Sequence, residues 1–255
     1  MHISIINNLT TLLKIGAFGH SPISAQQNDG NEQKGEGVAL EPMSQHKWRK
    51  LYKAAEALNV LGYVAMGCKE TDVTQWGDAE GVSPLVFQRE FPLTDASLFN
   101  HWSDKHLMEV REEEMNAPDT SEETLTLLDT IVANAHYIIT TDVSVEGIIS
   151  LGRMVRQNKD KINKEKLTSW LSHIGLVQIA NLEANMLTQC WDFAPEEIPF
   201  YTKKYKKAKS LHDNVIRKAL ESHSFSTATR LNVALTETAS YNFMNAISKV
   251  TDIEE

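Results

Sequence analysis

Cysteine, proline and long apolar runs are scarce in this chain, and each scarcity excludes something. Only two cysteines occur, Cys68 and Cys190, far apart and in no C-x-x-C pattern. They read as two inert thiols or at most one bridge, in a chain that needs no disulfide framework. No segment approaches the roughly 18 consecutive apolar residues of a bilayer-spanning helix, so no integral membrane contact is expected. The opening stretch MHISIINNLTTLLKIGAFG has no Lys or Arg among its first residues, and Asn7, Asn8, Thr10 and Thr11 interrupt its apolar run. It does not read as a secretory signal peptide, and a soluble protein, intracellular or in a virion, is expected.

Catalytic signatures are missing as well. The chain has no G-x-S-x-G elbow, no H-E-x-x-H pair and no phosphate-binding glycine loop. The glycines of GDAEG at 77–81 and GEG at 35–37 read as turn residues. WGDAE, Trp76 to Glu80, has the W-x-x-x-E spacing of a group of bacterial effectors that act on small GTPases, but Gly77 disfavours the helix that would carry it. No cofactor is expected. The chain reads as a non-enzyme, although an all-helical enzyme with a site assembled from distant residues stays open.

What is present is helical periodicity. The 255 residues suffice for one large domain or two small ones, and the 42% apolar and 23% charged fractions are those of a globular protein. Residues 20–45 are mostly polar and cannot offset their own ordering entropy. Residues 1–43 therefore read as a flexible, disordered arm with a short amphipathic helix at 4–15.

The folded part begins at Ser44, with a first helix running to a stop at Gly67. A loop follows, then a helix capped by Asp95 and ended by Pro118. Thr120 and Glu123 have capping-box spacing ahead of TLTLLDTIVANAHYII. Asp142 or Ser144 caps the next helix. NKEKLTSWLSHIGLVQIANLEANMLTQCW is the longest periodic segment, closed by Pro195 and Pro199, and two last helices cover about 200–221 and 226–250. The expected fold is all-α: one compact domain of about six to eight helices over 44–255, with a sub-boundary near 116–120.

Charge is unevenly spread. Residues 101–145 carry ten acidic and two basic residues, residues 147–230 fourteen basic and eight acidic, within a chain of net charge -9. Such asymmetry points to an anion-binding face or to head-to-tail contact between copies. Its densest part is YTKKYKKAKS, Tyr201 to Ser210, with five lysines and two tyrosines. One reading is a solvated helix face whose lysines snorkel. The functional reading is a phosphate-contacting patch of Lys203, Lys204, Tyr205, Lys206, Lys207 and Lys209, joined by Arg217, Lys218 and Arg230, with Lys159, Lys161, Lys164 and Lys166 as further candidates. Lysines there supply sequence-independent affinity and tyrosines stack on bases.

The histidines suggest less. His101 and His106 flank Asp104 and Glu109 on one helix, but a Glu-x-x-His metal centre needs the motif twice. The stretches around His136 and His173 supply no nearby carboxylate, so no metal site is expected.

Two functions follow as expectations. The first is a non-enzymatic nucleocapsid or coat-type subunit that binds single-stranded RNA without sequence specificity and forms homo-oligomers. The second is a secreted bacterial effector or adaptor acting through protein contacts. ASYNFMNAI near the C-terminus faintly resembles an aromatic motif of flexuous plant-virus coat proteins over about ten residues, with Asn242 where that family has a carboxylate. This likeness does not define membership.

Overall fold

The computed structural model describes residues 3–19, 40–71, 101–140 and 142–221. Within them the chain is all-α, with nine α-helices and no strand. They are α1 (Ile3–Phe18), α2 (Gln45–Ala57), α3 (Leu61–Glu70), α4 (His101–Met115), α5 (Glu122–Thr140), α6 (Val145–Gln157), α7 (Lys164–Ile174), α8 (Val177–Cys190) and α9 (Ala208–Glu221). No helix among the described residues is long and apolar enough to cross a membrane. The helix expected from Asp95 to Pro118 is observed from His101 on as α4, while its Asp95 cap, the helix expected over 226–250 and Arg230 lie outside the described residues.

The chain divides into two compact units, Met1–Glu90 with Ile216–Glu221, and Phe91–Val215 with Ser222–Glu255. In the first, α1 packs on α3 at backbone distance. A Cβ on Gly16 would meet Tyr63 O at 1.8 Å, and one on Gly67 would meet Leu12 O at 2.1 Å. Each glycine is thus the gap into which the other helix settles. Gly67 does not stop a helix, as its position in the sequence suggested. It lies inside α3, and the break falls earlier, at Asn59, whose φ of 57° ends α2. Leu9, Leu12, Leu13, Leu51 and Val64 are completely buried around this contact, each contributing about 1.5–3 kcal/mol relative to exposure.

The expectation of an unpacked arm therefore does not extend to Ile3–Phe18. Asn8 of α1, only 2% exposed, also holds the backbone at Glu41. Its Nδ2 donates to Glu41 O at 2.8 Å and its Oδ1 accepts from Glu41 N at 2.9 Å. Polar residues that interrupt the apolar run serve as anchors here. Cys68 on α3 is a free thiol, and burial pushes its pKa up to about 12; Cys190 on α8 is likewise free and buried.

In the second unit α5 is central, packing against α6, α7 and α8. Leu127, Leu128, Ile131, Ile148, Ile149, Leu167 and Leu187 are completely buried there. Ser144 caps α6 by accepting from Gly147 N at 3.0 Å, and Asn163 caps α7 by accepting from Lys166 N at 3.0 Å. The long periodic segment is two helices, because Gly175 takes φ 80° and closes α7. The turn near 116–120 lies inside this unit. The capping box expected at Thr120 does not form, since its hydroxyl donates backward to Glu114 O and Ala117 O.

The acidic and basic stretches meet within the same unit. Arg111 pairs with Asp129 at 2.6 Å, and Lys161 with Glu123 at 2.8 Å. Lys166 reaches both Glu114 at 2.9 Å and Asp119 at 3.2 Å. The hydrogen bond from Lys161 holds the Glu123 carboxyl below its ordinary range, and the bond to Glu114 raises Lys166 above its own. Part of the charge asymmetry is thus consumed by packing of α4 and α5 against α7 and the turn before it.

Candidate anion-binding loop

The residues 201–207 are not helical. α9 starts only at Ala208, so most of the lysine run is a loop between the short 3-10 turn Pro195–Glu197 and α9. A sequence in which five of seven residues from 203 to 209 are lysine has little reason to hold one backbone shape unaided. The shape is imposed from α8, where Asn181, Asn185 and Gln189 stand at intervals of four and form one stripe.

These three amides satisfy the loop backbone in order. Asn181 Oδ1 accepts from Thr202 N at 2.9 Å and Lys203 N at 3.2 Å. Asn181 Nδ2 and Asn185 Nδ2 donate to Lys203 O at 3.0 and 2.8 Å. Asn185 Oδ1 accepts from Tyr205 N at 2.7 Å. Gln189 Nε2 donates to Tyr205 O at 2.7 Å, and its Oε1 accepts from Lys209 N at 3.3 Å. Asn185 is completely buried and Asn181 is 6% exposed, so an unpaired amide there would be costly. Phe200 and Ala208 are buried at either end of the loop.

Clamping the backbone turns the side chains outward. Lys203, Lys204, Lys206, Lys207 and Lys209 are all exposed, while Tyr201 and Tyr205 are half-buried. None of the five lysines makes an ion pair among the described residues, unlike Lys105, Lys161 and Lys166. They also crowd the N-terminal, positive end of α9, whose first turn contains no acidic residue. Cations at that end are disfavoured by the helix dipole and by one another.

The remaining basic candidates lie outside the loop. Lys161 and Lys166 are engaged with α4 and α5 carboxylates. Lys159 and Lys164 are exposed near α7. Arg217 and Lys218 are exposed on the last turns of α9, which group with the first unit. Nothing in the spacing of lysines could have revealed the clamp, because its residues lie about 20 positions earlier. The Asn-x-x-x-Asn-x-x-x-Gln stripe on α8 was its one local signal.

Two further polar groups were missed. Glu183 is completely buried in the second unit, its Oε2 3.5 Å from Asn134 Nδ2, which also donates to Gly147 O at 3.1 Å. Glu183 Oε1 and Asn134 Oδ1 have no hydrogen-bond partner. Desolvation pushes the Glu183 carboxyl well above the ordinary glutamate range, which favours its neutral form. His173 was also read as lacking a carboxylate. The fold supplies one, Glu109 of α4, whose Oε2 is 3.4 Å from His173 Nε2.

Comparison of the chain with protein-family models, with curated proteins and with solved structures gives no match.

Proposed function

We propose that the segment 203–209 is a phosphate-backbone contact and that the protein binds single-stranded RNA without reading its sequence, as a non-enzymatic nucleocapsid or coat-type subunit does. The observation that carries this reading is the clamped loop itself. Five lysines are held on a fixed backbone at the positive end of α9, an arrangement that opposes local stability, and none of them has an ion-pair partner among the described residues. Sequences depart from local electrostatic preference where a partner supplies the missing charge.

A fixed backbone also lowers the ordering entropy due on binding, so lysines presented this way lose less freedom than lysines on a slack loop. Counterion release from phosphates then provides affinity independent of base identity. Tyr205 is pinned through its own N–H and C=O and half-buried, and this reading assigns its ring to stacking on a base. The net charge of -9 repels a polyanion at long range, but a local positive site still governs contact once the screening length of about 8 Å at physiological salt is crossed. Head-to-tail pairing of copies gains no support from the ion pairs described here, which join acids and bases of one chain. Self-assembly is the finer part of the proposal.

The test is fluorescence anisotropy with labelled oligo-U and oligo-A at low salt, alongside size-exclusion chromatography of the mixture. The proposal expects comparable affinity for both strands and weaker binding when Lys203, Lys204, Lys206 and Lys207 are replaced by Gln. Co-eluting large particles would support the coat form. Absence of binding to either strand at low salt would overturn the reading.

A further inference from the structure

His106 and Glu109 lie one turn apart on α4, and His173 comes from α7, 64 residues beyond Glu109. The imidazole rings of His106 and His173 have centroids 4.5 Å apart at an interplanar angle of 59°. One ligand-type atom from each of the three residues lies within 4.8 Å of the others. His106 and Glu109 are half-buried and His173 is exposed. We propose that His106, Glu109 and His173 bind one divalent transition-metal ion of the Zn2+ class and so clamp α4 to α7.

The donor set fits such an ion. Two imidazole nitrogens and one carboxylate oxygen are borderline ligands that suit Zn2+ rather than Mg2+ or Ca2+. In a tetrahedral site with bonds of about 2.0–2.1 Å, neighbouring ligand atoms are about 3.3 Å apart. The 3.4 Å between Glu109 Oε2 and His173 Nε2 already has that spacing, and a ring nitrogen of His106 lies within 4.8 Å of both ligand atoms. The other carboxylate oxygen, Glu109 Oε1, is 3.6 Å from Lys105 Nζ.

Three protein ligands leave a fourth position for solvent. The exposed side of His173 borders a shallow groove along α7 shared with Ser169, Ser172 and Lys164. The ion would therefore be accessible to small anions rather than enclosed.

The experiment titrates ZnCl2 into the full-length, chelator-treated protein by calorimetry and follows the thermal midpoint in parallel. The proposal expects one Zn2+ per chain and a raised midpoint. Glu109→Gln and His173→Ala should each weaken binding about tenfold to a hundredfold, the loss seen when even a supporting residue of a metal site is removed. His46→Ala, a change at an exposed histidine of α2, should leave binding unchanged. Circular dichroism of each variant confirms that the fold is retained. Cobalt(II) substitution gives a second readout, since a tetrahedral nitrogen–oxygen site yields a strong visible band that His106→Ala should abolish. No binding by the intact chain, or equal affinity in the triple variant His106→Ala, Glu109→Gln, His173→Ala, would overturn the proposal.

Discussion

Asn185 holds Tyr205 by its backbone: the amide oxygen accepts Tyr205 N at 2.7 Å, while the amide nitrogen donates to Lys203 O at 2.8 Å. One buried side chain on α8 thereby fixes the two residues that bracket Lys204. Asn185→Leu keeps the apolar character of the surrounding helix but leaves Tyr205 N–H without its acceptor. A loss of about 1–3 kcal/mol in unfolding free energy is expected. The same variant keeps all five lysines, so if clamping aids binding, RNA affinity falls while the number of charges does not. Urea unfolding and anisotropy on one preparation check both halves.

The α1–α3 contact makes an independent prediction. Gly16→Ala and Gly67→Ala each place a methyl group against a backbone carbonyl of the facing helix. Both should destabilise the first unit by about 1–3 kcal/mol, outweighing alanine's better helix propensity. Gly19→Ala has open space around its Cβ and meets only the cost of φ +72°, so it should be the mildest of the three. Thermal unfolding of the three variants gives the order directly.

Much of this was legible in the sequence, and the rest was not for identifiable reasons. The all-α class and most helices followed from apolar spacing, and Ser144 was visible as a cap. The division of helices at Asn59 and Gly175 was hidden because both sit within uninterrupted apolar periodicity, and only a positive φ marks the break. Packing of Ile3–Phe18 was hidden because its partner glycine, Gly67, lies about 50 residues away. The lysine run was conspicuous, but its loop conformation depends on Asn181, Asn185 and Gln189, whose meaning appears only when α8 meets the loop. The charge asymmetry was equally plain, while its partial use in the Glu114–Lys166 and Glu123–Lys161 pairs required the tertiary fold.

Glu183 yields a pH prediction. Its folded pKa is raised above the unfolded value of about 4.3, so the folded state binds a proton that the unfolded state has released. Stability should therefore be fullest below that value and fall as pH rises, by up to about 1.4 kcal/mol per pH unit, until the folded carboxyl itself ionises. Glu183→Gln removes this titration while keeping the shape. Denaturant unfolding across pH 4 to 8 should show the variant gaining on the wild type as pH increases. Parallel curves would contradict a buried neutral acid.

The central claim is that the clamped lysines touch phosphates, and the salt dependence of RNA binding tests it most directly. The slope of log affinity against log salt is measured for the wild type, for Asn185→Leu and for the variant with Lys203, Lys204, Lys206 and Lys207 replaced by Gln. The account predicts a wild-type slope that shrinks by about 0.7 for each lost phosphate contact on a single strand in the four-lysine variant. It predicts a slope closer to wild type for Asn185→Leu, which loses only the clamp. An unchanged slope in the four-lysine variant would show that these side chains face only water, and the proposed interface would be contradicted.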